Sequence, residues 1–108
     1  MNRDVVLDTA KKYVMKDRQA DHGAPEDTFA RIAALWNAYL CPSGVAPDGW
    51  GLTPTDAAMM LALLKVARQR ENPGHEDNYV DLAGYAACAA EIRAMTWHLQ
   101  HPSGEEEA

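Results

Sequence analysis

Apolar residues recur at helical spacing in four stretches of this chain, separated by short polar breakers. Val6, Ala10, Tyr13 and Val14 form one stripe over about Arg3 to Arg18, with Lys11, Lys12 and Lys16 on the solvated side. The stripe gives way at Asp17-Arg18-Gln19-Ala20-Asp21-His22-Gly23, where Gly23 suits a turn. A second helix is predicted over about Pro25 to Leu40, with Pro25, Glu26 and Asp27 in its first turn. Phe29, Ile32, Ala33, Trp36, Tyr39 and Leu40 give it a broad apolar face. Cys41 to Leu52 is rich in proline and glycine and reads as a loop. Trp50 and Val45 are expected to tuck against the bundle end, and ring stacking on a ligand is the alternative for Trp50.

The second half of the chain reads as a helical hairpin from Thr53 to Gln100. Thr53 as N-cap, Pro54 behind it and Asp56 at the third helical position make a capping-box signature. The helix continues to about Glu71. Met59, Met60, Leu61, Leu63 and Leu64 make it apolar almost all round, so it is expected to be central. Asn72-Pro73-Gly74 breaks the pattern. A fourth helix follows from about Asp77 to Leu99 and is expected to be nearly buried. Gly84 inside it costs about 1 kcal/mol against alanine, which points to a close approach of another helix or a ligand. Residues 101–108 read as a disordered acidic tail, with His98 and His101 solvated at its edge. The prediction is one all-α domain over residues 1–100, a four-helix up-down bundle with a long 2–3 loop.

Composition narrows the function classes. The formal net charge of -6 and the lack of a basic stripe argue against nucleic acid as a partner. No apolar run approaches about 18 residues, so no membrane span is expected. The N-terminus lacks the apolar core of a signal peptide. Cys41 and Cys88 are far apart without a CxxC partner and read as free thiols in a reducing cytoplasm.

In an up-down bundle the 1–2 and 3–4 turns share one pole, and the 2–3 loop and both termini share the other. That pole gathers Asp17, Arg18, Asp21 and His22 with Lys65, Arg68, His75, Asp77 and Asp81. Folding at Pro73 sets Arg68 opposite Asp77 and Lys65 opposite Asp81. Three readings are open. The charges form an ion-pair clasp that fixes hairpin register. Alternatively, Asp77 and Asp81, four apart on one helix face, hold Mg²⁺ that bridges to substrate phosphates. In the third, Arg18, His22, Lys65 and Arg68 hold a phosphate or nucleotide, with the amides of the fourth helix and His75 nearby. His75 is a candidate general base, with a merely solvated loop histidine as the alternative. No catalytic residue is assigned.

Asp17-Arg18, His22-Gly23, Trp36, Asp56, Lys65-x-x-Arg68 and Asp77-x-x-x-Asp81-x-x-Gly84-Tyr85 together resemble a group of small all-helical proteins of tailed phages and prophages, over residues 5 to 90. More distantly the chain resembles MazG-like all-α nucleoside triphosphate pyrophosphohydrolases. That likeness implies a homodimer or higher homo-oligomer that hydrolyses nucleotides with Mg²⁺. Asp77 and Asp81 stand for the second acidic pair of that family. The first pair is missing, because the preceding helix carries Lys65 and Arg68 instead. The expectation is therefore a cytoplasmic, self-associating nucleotide-binding protein. Pyrophosphohydrolysis is its enzymatic version. A non-catalytic binder of a nucleotide signal in phage counter-defence and a purely structural helical protein are the alternatives.

Overall fold

The protein is described by a computed structural model over residues 1–17, 23–44, 47 and 49–101. The expected roles of Arg18, Asp21, His22 and Val45, and the acidic tail beyond His101, lie outside the described residues. The fold is an all-α four-helix bundle of α1 (Arg3–Lys12), α2 (Pro25–Leu40), α3 (Pro54–Glu71) and α4 (Glu76–Gln100). The described residues contain no strand.

The core is built mostly from small side chains. Phe29 and Ala33 of α2 meet Ala57 and Ala58 of α3 and Cys88, Ala89 and Ile92 of α4. Val14, Ile32, Trp36, Leu61 and Tyr85 close around them. Alanine lets helix backbones approach closely and keeps a high helix propensity, but each residue buries little area.

The central helix is α4, which packs against each of the other three. The sequence pattern assigned that place to α3. Only Ala57, Ala58 and Ala62 of α3 are buried. Apart from Leu61, its bulky apolar residues face outward, with Leu63 64% exposed and Met59 48% exposed. The reason is that α2 and α4 cover the alanine face of α3, and none of the other described helices packs on the opposite face. The broad apolar face expected of α2 is likewise only half used, since Tyr39 and Leu40 at its end are exposed. Nor does Trp50 tuck in: it is 43% exposed. At the other end of the chain, the His101 ring is half-buried rather than solvated. It stacks on Trp97 with centroids 4.2 Å apart, and its Nδ1 lies 2.9 Å from the Trp97 carbonyl.

Regular α1 ends at Lys12, and the backbone widens into a π turn over Tyr13–Asp17 instead of continuing as one helix. Such turns admit an extra residue and redirect the side chains that follow. Here Val14 meets α4 at Gly84, where an added Cβ would lie 3.1 Å from Val14 Cγ1. The close approach expected at Gly84 is thus helix against helix. The N-terminus departs from the expected pole: the Met1 ammonium lies 3.2 Å from Glu76 Oε1, beside the 3–4 turn. Helix α1 thus starts beside the start of α4.

Local chemistry sets the hairpin. Asp56 N–H donates to Thr53 Oγ1 at 3.1 Å, and Thr53 N–H donates to Asp56 Oδ2 at 2.9 Å, completing the predicted capping box. The helix ends where Asn72 N–H reaches Arg68 O, and Pro73 then prevents its continuation. Tyr79 staples the turn: its hydroxyl donates to Pro73 O at 2.8 Å and accepts from Gln69 Nε2 at 3.1 Å. Neither Cys41 nor Cys88 is in a disulfide, as expected.

Candidate functional site

The register of the hairpin brings five of the seven sequence-predicted site residues into one cleft. Lys65 and Arg68 come from α3, Asp77 and Asp81 from α4, and His75 from the turn. Glu71, Asn72 and Asn78 complete the lining of a hollow of about 560 Å³. Arg18 and His22, the other two, are outside the described residues.

The predicted pairings divide. Lys65 Nζ lies 2.9 Å from Asp81 Oδ2, with side chains only 16% and 14% exposed. The Arg68–Asp77 pair does not form. Asp77 Oδ2 instead approaches His75 Nε2 at 4.0 Å, and both side chains are more than half exposed. Asp77 lies in the first turn of α4 and points out toward solvent, while Arg68, one turn beyond Lys65, stays on the exposed rim. Arg68 makes no ion pair or side-chain hydrogen bond among the described residues. A clasp therefore exists at Lys65–Asp81 and leaves Arg68 available.

Asn78 was not anticipated. It is a buried polar residue, 4% exposed, and it lines the cleft. Its side chain makes no hydrogen bond within the described residues, yet no enclosed side-chain atom is left unsatisfied. Its amide tip must therefore keep an opening, which the cleft supplies. A buried amide without a protein partner costs free energy unless water or a ligand satisfies it. The signal was present in the spacing: Asn78, Asp81, Tyr85, Cys88 and Ile92 repeat at three and four, so one step back along the buried stripe from Asp81 reaches Asn78.

The start of α4 adds donors. His75 at the N-cap makes no side-chain capping bond, in contrast to the closed box on α3. Free amides and the helix dipole there favour an anion. The cleft also contains Glu71, Asp77 and Asp81 against Lys65 and Arg68, so its charges are mixed. The described residues hold no group of three or more His, Cys, Asp or Glu side chains placed to bind a metal. The two expected Mg²⁺ ligands, Asp77 and Asp81, do not make a cage alone. Mg²⁺ commonly takes one or two carboxylates together with ligand phosphates, and this donor set suits only that arrangement.

A second, apolar hollow of about 140 Å³ lies between the four helices, walled by Val14, Phe29, Ile32, Leu61, Tyr85 and Cys88 among others. Asp81 borders both hollows. No helix among the described residues is long and apolar enough to cross a membrane.

Comparison with known proteins agrees with the phage resemblance. The chain is 42% identical over 88 residues to the Gene 55 protein of Mycobacterium phage L5, covering 82% of this chain and 52% of that protein. It is 30% identical over 87 residues to the Gene 55 protein of Mycobacterium phage D29, covering 81% and 52%. The chain thus spans about half the length of these curated relatives. No solved structure matches. The model of the domain of unknown function DUF6378 matches residues 5–93, all four helices nearly to their ends, and the chain belongs to that family.

Proposed function

We propose that the charged cleft binds the phosphates of a nucleotide, carried with Mg²⁺. The observation that supports this most is the juxtaposition of Arg68, a cation without an ion-pair partner among the described residues, with the Asn78 amide, whose tip opens into the cleft, at an uncapped helix start. Guanidinium groups and helix amides both suit phosphate oxygens. The carboxylates of the cleft would repel a bare polyphosphate, and Mg²⁺ arriving with it offsets that repulsion, with Asp77 supplying an oxygen. Lys65 and Asp81 hold the wall of the site, and His75 stands at its rim.

Binding without turnover is the reading we favour over MazG-like pyrophosphohydrolysis. Helix α3 presents Lys65 and Arg68 where a metal-dependent hydrolase would need carboxylates, and Asp81 is already paired to Lys65. In a phage setting such a binder could sequester a nucleotide signal of the host. Second copies of the chain would cover the outward face of α3, giving a homodimer or higher homo-oligomer.

Calorimetric titration with nucleoside triphosphates, with and without Mg²⁺, tests the proposal, and a pyrophosphate-release assay runs beside it. Binding that depends on Arg68, without pyrophosphate release, is the expected result. Failure of every nucleotide to bind would remove the reading. Pyrophosphate release would restore the hydrolase.

A further inference from the structure

We infer that the apolar hollow beside the cleft is a subsite for a single six-membered aromatic ring, which makes the ligand a pyrimidine nucleotide. The inference rests on the phosphate reading of the charged cleft and adds the other half of the ligand. Asp81 is the shared wall: it lines the apolar hollow on one side and the charged cleft on the other. One molecule with an apolar ring and a charged group joined by a short linker can occupy both, and a nucleoside phosphate has that form.

Size selects the ring. The hollow measures about 140 Å³. An engineered apolar cavity of about 150 Å³ takes up benzene, so the walls enclose one six-membered ring, and the second ring of a purine would project from the mouth and gain little. Chemistry selects a heterocycle. Phe29 and Tyr85 meet edge to face, with centroids 6.1 Å apart and planes at 73°, and form an aromatic wall. Among the described residues the rest of the lining is aliphatic apart from the Cys88 thiol, the rings and hydroxyls of Tyr13 and Tyr85, the Thr28 hydroxyl and the Asp81 carboxylate. Tyr85 makes no hydrogen bond through its hydroxyl among the described residues, so it can serve the polar edge of a base. A void of this size weakens a bundle whose core is already built from alanines, unless a ligand fills it.

The test is calorimetric titration of the full chain in Mg²⁺ with inorganic pyrophosphate, the four common nucleoside triphosphates and a hollow-filling variant, Cys88→Leu. Pyrophosphate probes the cleft alone. The expected result is that it binds, that CTP or UTP binds at least tenfold tighter, and that ATP and GTP gain nothing over it. Cys88→Leu should erase the pyrimidine gain and leave pyrophosphate binding unchanged. If Cys88→Leu does not fold, Ile32→Phe at the half-buried side of the hollow serves in its place. Pyrophosphate binding with no pyrimidine gain, an equal gain for purines, or a gain that survives filling would each overturn the subsite and leave the cleft standing. If neither pyrophosphate nor any nucleotide binds, the cleft reading fails and the subsite falls with it.

Discussion

Lys65 Nζ meets Asp81 Oδ2 at 2.9 Å across the α3–α4 hairpin, with both side chains largely covered. Pairs of this kind contribute little compared with an apolar replacement, but removing one partner takes from the other, largely covered, charge its closest counter-charge. Lys65→Met is expected to lower unfolding free energy by about 2–3 kcal/mol. Asp81→Asn added to it should cost less than the sum of the single changes, with a coupling of about 1–2 kcal/mol. Urea denaturation of the two single variants and the double variant measures both. Strict additivity would show that the pair is only a surface contact.

Arg68 should behave in the opposite way. Its side chain is exposed and makes no ion pair or hydrogen bond among the described residues. Arg68→Ala is expected to leave unfolding free energy within about 0.5 kcal/mol of the parent. It should weaken Mg²⁺-pyrophosphate binding about tenfold, the loss of one charge-assisted contact of about 1.4 kcal/mol. A stability loss without a binding loss would assign Arg68 to the fold.

Gly84 tests the packing of α1 on α4. An alanine Cβ would stand 3.1 Å from Val14 Cγ1, tighter than ordinary contact, but Val14 borders the apolar hollow and has room to give. Gly84→Ala is therefore expected to be stabilising by about 0.5 kcal/mol, as helix propensity outweighs the small shift. Gly84→Leu should cost about 1–3 kcal/mol by pushing the helices apart. Thermal unfolding of both variants checks the sign change.

The outward face of α3 predicts self-association. Met59, Leu63 and Val66 fall at helical spacing and are all substantially exposed. Contiguous apolar surface of this kind usually marks an interface. Sedimentation equilibrium should find a dimer or larger assembly, and Leu63→Glu should shift it to monomer without unfolding it. A parent chain that stays monomeric at high concentration would sink the idea.

At the far end of α3 the capping box offers a control. Thr53→Ala removes the acceptor for Asp56 N–H and should cost about 1 kcal/mol in stability. Nucleotide binding should be unaffected, because Thr53 is three helical turns from Lys65. Denaturation and titration of the same preparation report both.

Helices and caps were legible in the sequence because their causes are local. Thr53, Pro54 and Asp56 start α3 by hydrogen bonds within four residues, and Pro73 ends it by a missing donor. The meeting of Lys65 with Asp81 was legible because a short turn fixes the register of a hairpin. Burial was read less well. The pattern of α3 says that its faces are apolar but not which neighbours exist to cover them, and its alanine face won. Arg68 and Asp77 were set opposite each other by counting residues, but side-chain direction at the helix ends decides contact, and there they diverge. The apolar hollow was not legible, since it depends on a π turn in residues 13–17 and on the approach of Val14 to Gly84.

The Tyr79 hydroxyl, held between Pro73 O and Gln69 Nε2, ties the tip of the hairpin to both of its helices. A tip fastened at three points has little left to order when a ligand arrives. Association at the cleft should then proceed in a single exponential phase whose rate rises linearly with ligand concentration, with no slower closing step behind it. Tyr79→Phe, which releases the tip while keeping the ring, is the change that would introduce such a step, and stopped-flow mixing would resolve it.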